Sequence, residues 1–137
     1  MMTRRSVVLT SFAFCATVAG VAPALAAARR GRIMQLLDPD NDGTVSLDEA
    51  KKAASAVFDR LDRDHSGTLK NRELGGRVTN REFAAADPDK DGTLTKDEYL
   101  AIVEQRFKAA DPDNDGTLDE RELRSRAGRA LLRLVMY

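Results

Sequence analysis

The 137-residue chain carries 22 Lys and Arg against 22 Asp and Glu, with one His, one Cys and no Trp. A formal charge of zero gives no ground for a nucleic-acid partner, and a lone cysteine excludes an internal disulfide framework. With only 5% aromatic residues, one small domain with a thin core is expected, and at this size bound metal often supplies part of the folding free energy.

The first segment reads as a secretory signal peptide over 1–26. Arg4 and Arg5 form a charged start, 7–21 is an apolar run, and Ala24-Leu25-Ala26 is a small-x-small cleavage site. The run is too short to span a membrane as a helix, so no membrane span is expected after cleavage. The expected destination is the periplasm, by a Sec or a twin-arginine route. Cys15 lies inside this segment, so cleavage leaves no thiol chemistry. The segment also removes two Arg and no acid, leaving 20 basic and 22 acidic residues in a domain over 27–137.

Four copies of one twelve-residue pattern follow, starting at Asp38, Asp62, Asp87 and Asp111. Each reads Asp-x-Asp-x-[Asp/Ser]-Gly-Thr, then an apolar residue, with Glu at the twelfth place. This is the EF-hand metal loop, in which oxygens at positions 1, 3, 5, 7, 9 and 12 converge on a hard cation. The Gly at position 6 permits the sharp turn that a Cβ would obstruct. Candidate metal ligands in loop 1 are Asp38, Asp40, Asp42, Thr44, Ser46 and Glu49, and in loop 2 Asp62, Asp64, Ser66, Thr68 and Glu73. In loop 3 they are Asp87, Asp89, Asp91, Thr93, Thr95 and Glu98, and in loop 4 Asp111, Asp113, Asp115, Thr117, Asp119 and Glu122. Sixteen acids fall at these positions: four in loop 1, three in loop 2, four in loop 3 and five in loop 4. They repel one another without a cation. Ligand charge tunes EF-hand affinity, so loop 4 is expected to be tightest and loop 2 weakest. Loop 2 has the neutral Ser66 at position 5, Lys70 at position 9 and Arg63 at position 2.

The loop starts are 24, 25 and 24 residues apart, which leaves room for only one helix between loops 1 and 2. Leu47, Ala50, Ala54, Val57, Phe58 and Leu61 have helical spacing. A helix from Leu47 to Leu61 is about 22 Å long, so it holds loops 1 and 2 at opposite ends. A second shared helix is expected over Lys96 to Ala110. Between them Gly75-Gly76 ends a short helix, and Thr79-Asn80-Arg81-Glu82 is a capping box that starts another. The chain can fold back there, pairing loop 2 with loop 3 and loop 1 with loop 4. The position-8 residues should then meet as Leu69 opposite Leu94 and Val45 opposite Leu118. One final helix over roughly Glu120 to Val135 closes the core with Leu123, Ala127, Leu131, Leu134 and Val135. The fold class is thus all-α: four EF-hand loops on a compact bundle with shared helices and short β contacts.

Loops 1, 3 and 4 carry Pro39, Pro88 and Pro112 at position 2, an uncommon choice in such loops. With the short spacing, Glu73-Leu74-Gly75-Gly76-Arg77-Val78, Asp97-Glu98-Tyr99-Leu100-Ala101 and Phe107-Lys108-Ala109-Ala110, the chain resembles the lanmodulin family from about Leu36 onward. The resemblance implies a periplasmic, non-catalytic protein that binds trivalent lanthanides in preference to calcium and becomes compact on binding. The chain departs from that family's usual Asp at position 9 in loops 1 to 3, where Ser46, Lys70 and Thr95 stand. Each Pro fixes its own φ and restricts the preceding Asp, which lowers the entropy cost of ordering the loop.

No residue pattern supports catalysis. His65, at loop position 4, is expected to face solvent, and no activated Ser or Thr partner is visible. The C-terminal Arg121, Arg124, Arg126, Arg129 and Arg133 read as a solvated face that offsets the acidic loops rather than as the site of an anionic partner. Two function classes remain. The first is a monomeric lanthanide carrier or buffer with metal ions as its partners. The alternative is a calcium-binding buffer or a calcium-responsive interaction protein. Shared helices, held by a loop at both ends, and only Met34 and Met136 beyond the signal segment speak against a sensor's opening groove.

Overall fold

The computed structural model describes residues 31–137, and the expected signal peptide over 1–26 lies outside them. Helix α1 includes 31–37 and runs into loop 1. Strand β1 (Val45–Ser46) leads into α2 (Leu47–Leu61), then β2 (Thr68–Lys70) and the one-turn α3 (Asn71–Leu74). After the double glycine come α4 (Asn80–Ala86), β3 (Thr93–Thr95), α5 (Lys96–Ala110), β4 (Thr117–Leu118), α6 (Glu120–Arg124) and α7 (Arg126–Val135). Among the described residues no helix is long and apolar enough to cross a membrane.

Loops 1 and 2 share α2, and loops 3 and 4 share α5. Val45 pairs with Leu118 and Leu69 with Leu94 in two antiparallel two-stranded ladders. All four residues are fully buried. Since loop 1 meets loop 4 and loop 2 meets loop 3, α2 and α5 must run antiparallel. Side chains confirm one register along the pair. Lys51 meets Glu104 at 3.0 Å, Lys96 meets Asp59 at 2.6 Å, and Phe58 packs edge-on to Tyr99 with ring centroids 5.7 Å apart. The turn between the halves forms as its residues dictate. Gly75 and Gly76 have φ of 56° and 77°, which a Cβ disfavours, and the Thr79 hydroxyl caps the Glu82 N–H.

The final helix is not continuous. It breaks at Ser125, whose ψ of 170° leaves the helical region, and the Ser125 hydroxyl accepts the Gly128 N–H at 2.9 Å as the cap of α7. Gly128 makes the bend possible. A Cβ there would lie 2.1 Å from the Glu122 carbonyl oxygen, so only glycine lets α7 fold back so tightly on α6. The bend turns Leu131, Leu134 and Val135 into the groove between α2 and α5, where they are buried, while Ala127 is half-buried.

Polar ties fix α7 in that groove. The Tyr99 hydroxyl donates to the Leu134 carbonyl at 2.8 Å, and burial pushes its pKa up to about 12. Arg77 donates to the carbonyls of Arg133 and Met136. These side chains satisfy carbonyls that the end of α7 would otherwise leave unpaired. Arg106 is the central tie. Its guanidinium is only 10% exposed and grips Glu82 with two bonds of 3.0 and 2.9 Å. It also donates to the carbonyls of Ala130 and Arg77. One side chain thereby joins α4, α5, α7 and the turn between the halves.

The Arg106 guanidinium beside Glu82 holds that carboxyl at about 2, against an ordinary 4.5. The contribution of the pair is therefore complete above about pH 4.5 and is lost as the pH falls towards 2. Arg106→Ala should lower unfolding free energy by about 3–5 kcal/mol, because it strands a partly buried carboxylate and two carbonyls. Arg106→Lys should recover only part, since an ammonium lacks the fork. Urea unfolding at neutral pH and at pH 3 checks both points: the difference between wild type and Arg106→Ala should shrink in acid.

Candidate metal centres

Each loop is organised by its first aspartate. Asp38, Asp62, Asp87 and Asp111 are the buried charged residues of the described chain. One oxygen of each accepts the position-6 glycine N–H, at 3.0, 2.8, 3.1 and 3.1 Å. That bond closes the loop. It also needs the chain to turn through left-handed backbone, and both position 4 and position 6 do so. The position-4 residues Asn41, His65, Lys90 and Asn114 have φ from 52° to 59°. Asn tolerates this region well, whereas Lys90 has no such aptitude.

The structure brings three carboxylate triads together. Asp38, Asp40 and Glu49 meet in loop 1, Asp87, Asp89 and Asp91 in loop 3, and Asp111, Asp113 and Glu122 in loop 4, each with one oxygen per residue within 4.8 Å of the others. Like charges so close raise proton affinity. Asp38 pushes the pKa of Asp40 up, and Asp87 does the same to Asp89. Asp113 is also raised: the Asp115 N–H is the largest influence and acts against the shift, but the Asp111 carboxylate, burial and the charge of Asp115 together outweigh it. In loops 3 and 4 the second oxygens of Asp87 and Asp111 are buried with no hydrogen-bond partner. A buried anionic oxygen with no donor is costly, and a cation is the partner that its position beside other carboxylates suits. The donor set, all hard oxygens, fits calcium or a lanthanide rather than a soft metal.

The candidates at positions 5 and 9 also bond within the loop frame. Asp42, Asp91 and Asp115 each accept the N–H and hydroxyl of the Thr two places on, Thr44, Thr93 and Thr117, at 2.7–2.8 Å. The Thr117 bonds hold the Asp115 carboxyl below its ordinary pKa. At position 9, Ser46 and Thr95 exchange bonds with Glu49 and Glu98 as capping boxes. Asp119 accepts the Arg121 and Glu122 N–H groups at 2.7 and 2.8 Å, so its carboxylate faces the start of α6. Position 9 is therefore the N-cap of each exit helix, and position 12 is its third residue. Each position-12 Glu accepts the position-9 backbone N–H. One oxygen of that Glu is thus aligned by the helix start.

Loop 2 differs. No acidic triad forms there among the described residues. Lys70 turns its ammonium back to Asp64 at 2.8 Å, and this contact drives the Asp64 pKa well below the ordinary range. The Ser66 hydroxyl donates to the Thr68 carbonyl at 3.0 Å, the oxygen that position 7 would offer an ion. The Ser66 N–H occupies the second oxygen of Asp62 at 2.9 Å, as the Asp42 N–H does that of Asp38 in loop 1 at 3.2 Å, whereas in loops 3 and 4 that oxygen is unpartnered. His65 is exposed, as expected for position 4. Neither Arg106 nor the Ser125 bend was foreseen from sequence; an S-x-x-G step within a helical pattern was the available sign of the latter.

The family model described as EF hand matches residues 81–103 and 102–125, which contain loops 3 and 4 with their flanking helices. Over 45 residues the chain is 55% identical to "Lanmodulin" of Methylorubrum extorquens. That match covers 33% of this chain and 34% of the relative, so it spans about a third of the length of each. The two matches support a lanmodulin-like EF-hand family, and three of the four loops gather carboxylates that could hold a metal ion.

Two outcomes follow from the loop geometry. The raised carboxyls of Asp40, Asp89 and Asp113 bind protons in the fold above the pH at which an unfolded chain would, so the metal-free fold gains stability as the pH falls from neutrality. Glu82 and Glu104, both held at about 2, reverse this at lower pH. Helical circular dichroism of the chelator-treated protein should therefore pass through a maximum in mild acid, and a monotonic loss of signal from pH 7 downward would contradict this. Separately, Lys90→Asn should stabilise the metal-loaded protein by a few tenths to about 1 kcal/mol, because Asn tolerates the left-handed backbone. Lys90→Gln removes the same charge and should stabilise less.

Proposed function

We propose that this protein is a non-catalytic metal carrier or buffer of the periplasm, exported by the segment over 1–26. In this reading the domain over 27–137 binds trivalent lanthanides in preference to calcium and orders on binding. The observation that carries it is the pair of buried, unpartnered oxygens of Asp87 and Asp111 beside their carboxylate triads. The likeness to lanmodulin adds the ion. The proposed ligands are the carboxylates at positions 1, 3, 5 and 12 of loops 1, 3 and 4, with the position-7 carbonyls, and Asp119 as a further carboxylate at the rim of loop 4.

Charge favours this choice of ion. Attraction scales with the product of charges, so a site of four carboxylates gains more from a +3 than from a +2 cation. The carboxylates of a loop are crowded before the ion arrives, and the core holds no Trp. Metal binding is then part of the folding free energy. The two ladders carry order from one loop to its partner, so loops 1 and 4 should fill as a unit.

Titration with terbium and with calcium, followed by helical circular dichroism, tests the reading. Terbium at micromolar concentration should order the chelator-treated chain, and calcium should need far more. Ordering by both ions at one concentration would favour the calcium buffer. Tyr99, next to Glu98 in the first turn of α5, should sensitise the terbium emission. The second test is stoichiometry. Loop 2, closed by Lys70 and Ser66, should be last to fill, so the wild type should take three ions tightly and the Ser66→Asp, Lys70→Asp variant four. Four equally tight sites in the wild type would refute that order.

A further inference from the structure

The end of the molecule around loop 2 is charged the opposite way from the stretch around loop 3. From Arg60 to Arg77 five cationic side chains accompany three carboxylates, whereas the matching stretch 85–102 around loop 3 has two cations and five carboxylates. The three acids of loop 2 are also largely neutralised from within. Lys70 pairs with Asp64, and Asp62 is buried on the N–H groups of Ser66 and Gly67. The charge left over is positive, and it is gathered around one cavity.

That cavity has a volume of about 480 Å³ and is walled by Arg63, Arg72 and Arg77, with the Tyr137 ring, Leu61 and Glu73 completing it. Tyr137 is held in place by two guanidinium groups, Arg77 at 5.4 Å and Arg60 at 5.6 Å from the ring centroid. Arg77 is itself fixed, since one of its nitrogens caps the end of α7. Its other nitrogens remain for a ligand. The side chains of Arg63 and Arg72 form no ion pair among the described residues, and residues 1–37 contain no Asp or Glu that could reach them. Planar guanidinium forks converging on a concave site suit carboxylate and phosphate-type oxygens.

We propose that this cavity is an anion site, in which Arg63, Arg72 and Arg77 hold a small doubly charged oxyanion against Tyr137. Loop 2 has exchanged the task of binding a cation for that of presenting this site. The Lys70–Asp64 pair keeps the loop folded while removing the negative charge that would repel the ligand. Arg63, at loop position 2 where the other three loops carry Pro, and Arg72, at position 11, are the residues that make the difference. The size of the cavity admits a dicarboxylate or a tetrahedral dianion.

The test is an NMR titration of the whole protein with sodium succinate and, separately, sodium sulfate, both weak chelators, at constant ionic strength. It is run in whichever metal state shows the full helical signal, so the result does not depend on which ion the other loops prefer. The signals to follow are the Tyr137 ring and the Arg Nε–H groups. Saturable shifts by at least one anion are expected, with affinity falling at least tenfold in Arg63→Gln, Arg72→Gln, both exposed and outside the core. Arg77 is spared because it also caps α7. Arg126→Gln, Arg129→Gln, at the other arginine-rich face, should bind as the wild type does. Non-saturable shifts with both anions, or equal binding by the Arg63→Gln, Arg72→Gln variant, would overturn the proposal.

Discussion

Mutual repulsion among carboxylates, held close by a buried aspartate that begins each loop, governs this protein. Asp38, Asp62, Asp87 and Asp111 each lie under the loop they start and accept its glycine N–H. This single bond shapes the turn and at the same time fixes a negative charge where other acids must gather. Three loops leave that charge open to an ion. The turn of each loop and the crowding of its carboxylates are therefore one feature.

The shared helices determine how the loops communicate. In α2 and α5 each helix ends one loop and begins another, so no loop can move without pulling on a rod whose far end is also held. The position-8 residues close the circuit by pairing loop 1 with loop 4 and loop 2 with loop 3. Arg106 and the bent α6–α7 unit then tie the two halves together at the side. A groove that opens to a partner would have to break these contacts.

Loop 2 shows how few changes alter the charge of an EF-hand loop. A Lys at position 9 reaches position 3 and supplies a cation from within the chain. A Ser at position 5 is short enough to bond the carbonyl at position 7. The loop keeps its glycine turn and its ladder to loop 3, so it still supports its neighbour. What it loses is the open negative charge, and its surroundings turn basic.

The four loops, the two shared helices, the double-glycine turn and the pairing of Leu69 with Leu94 and Val45 with Leu118 were all legible in the sequence. These features are local or follow from spacing: a twelve-residue motif fixes its own turn, and a helix too short to be divided must serve two loops. Loop 2 was marked as different by Lys70 and Ser66, although the bonds they make were not. Tertiary structure decided what depends on groups far apart in the chain. Arg106 reads as one more exposed helical charge until α4, α7 and the turn surround it. Ser125 reads as mid-helix, and only the close approach at Gly128 shows why α7 must bend back to bury Leu131 and Leu134. Position 9, read as a ligand, also proves to be a helix cap, because Ser46, Thr95 and Asp119 lie where unpaired N–H groups compete with the ion for their oxygens. Sequence fixes which groups are present and their local geometry; which of them meet, and which buried oxygens go without a partner, is settled only when the helices pack.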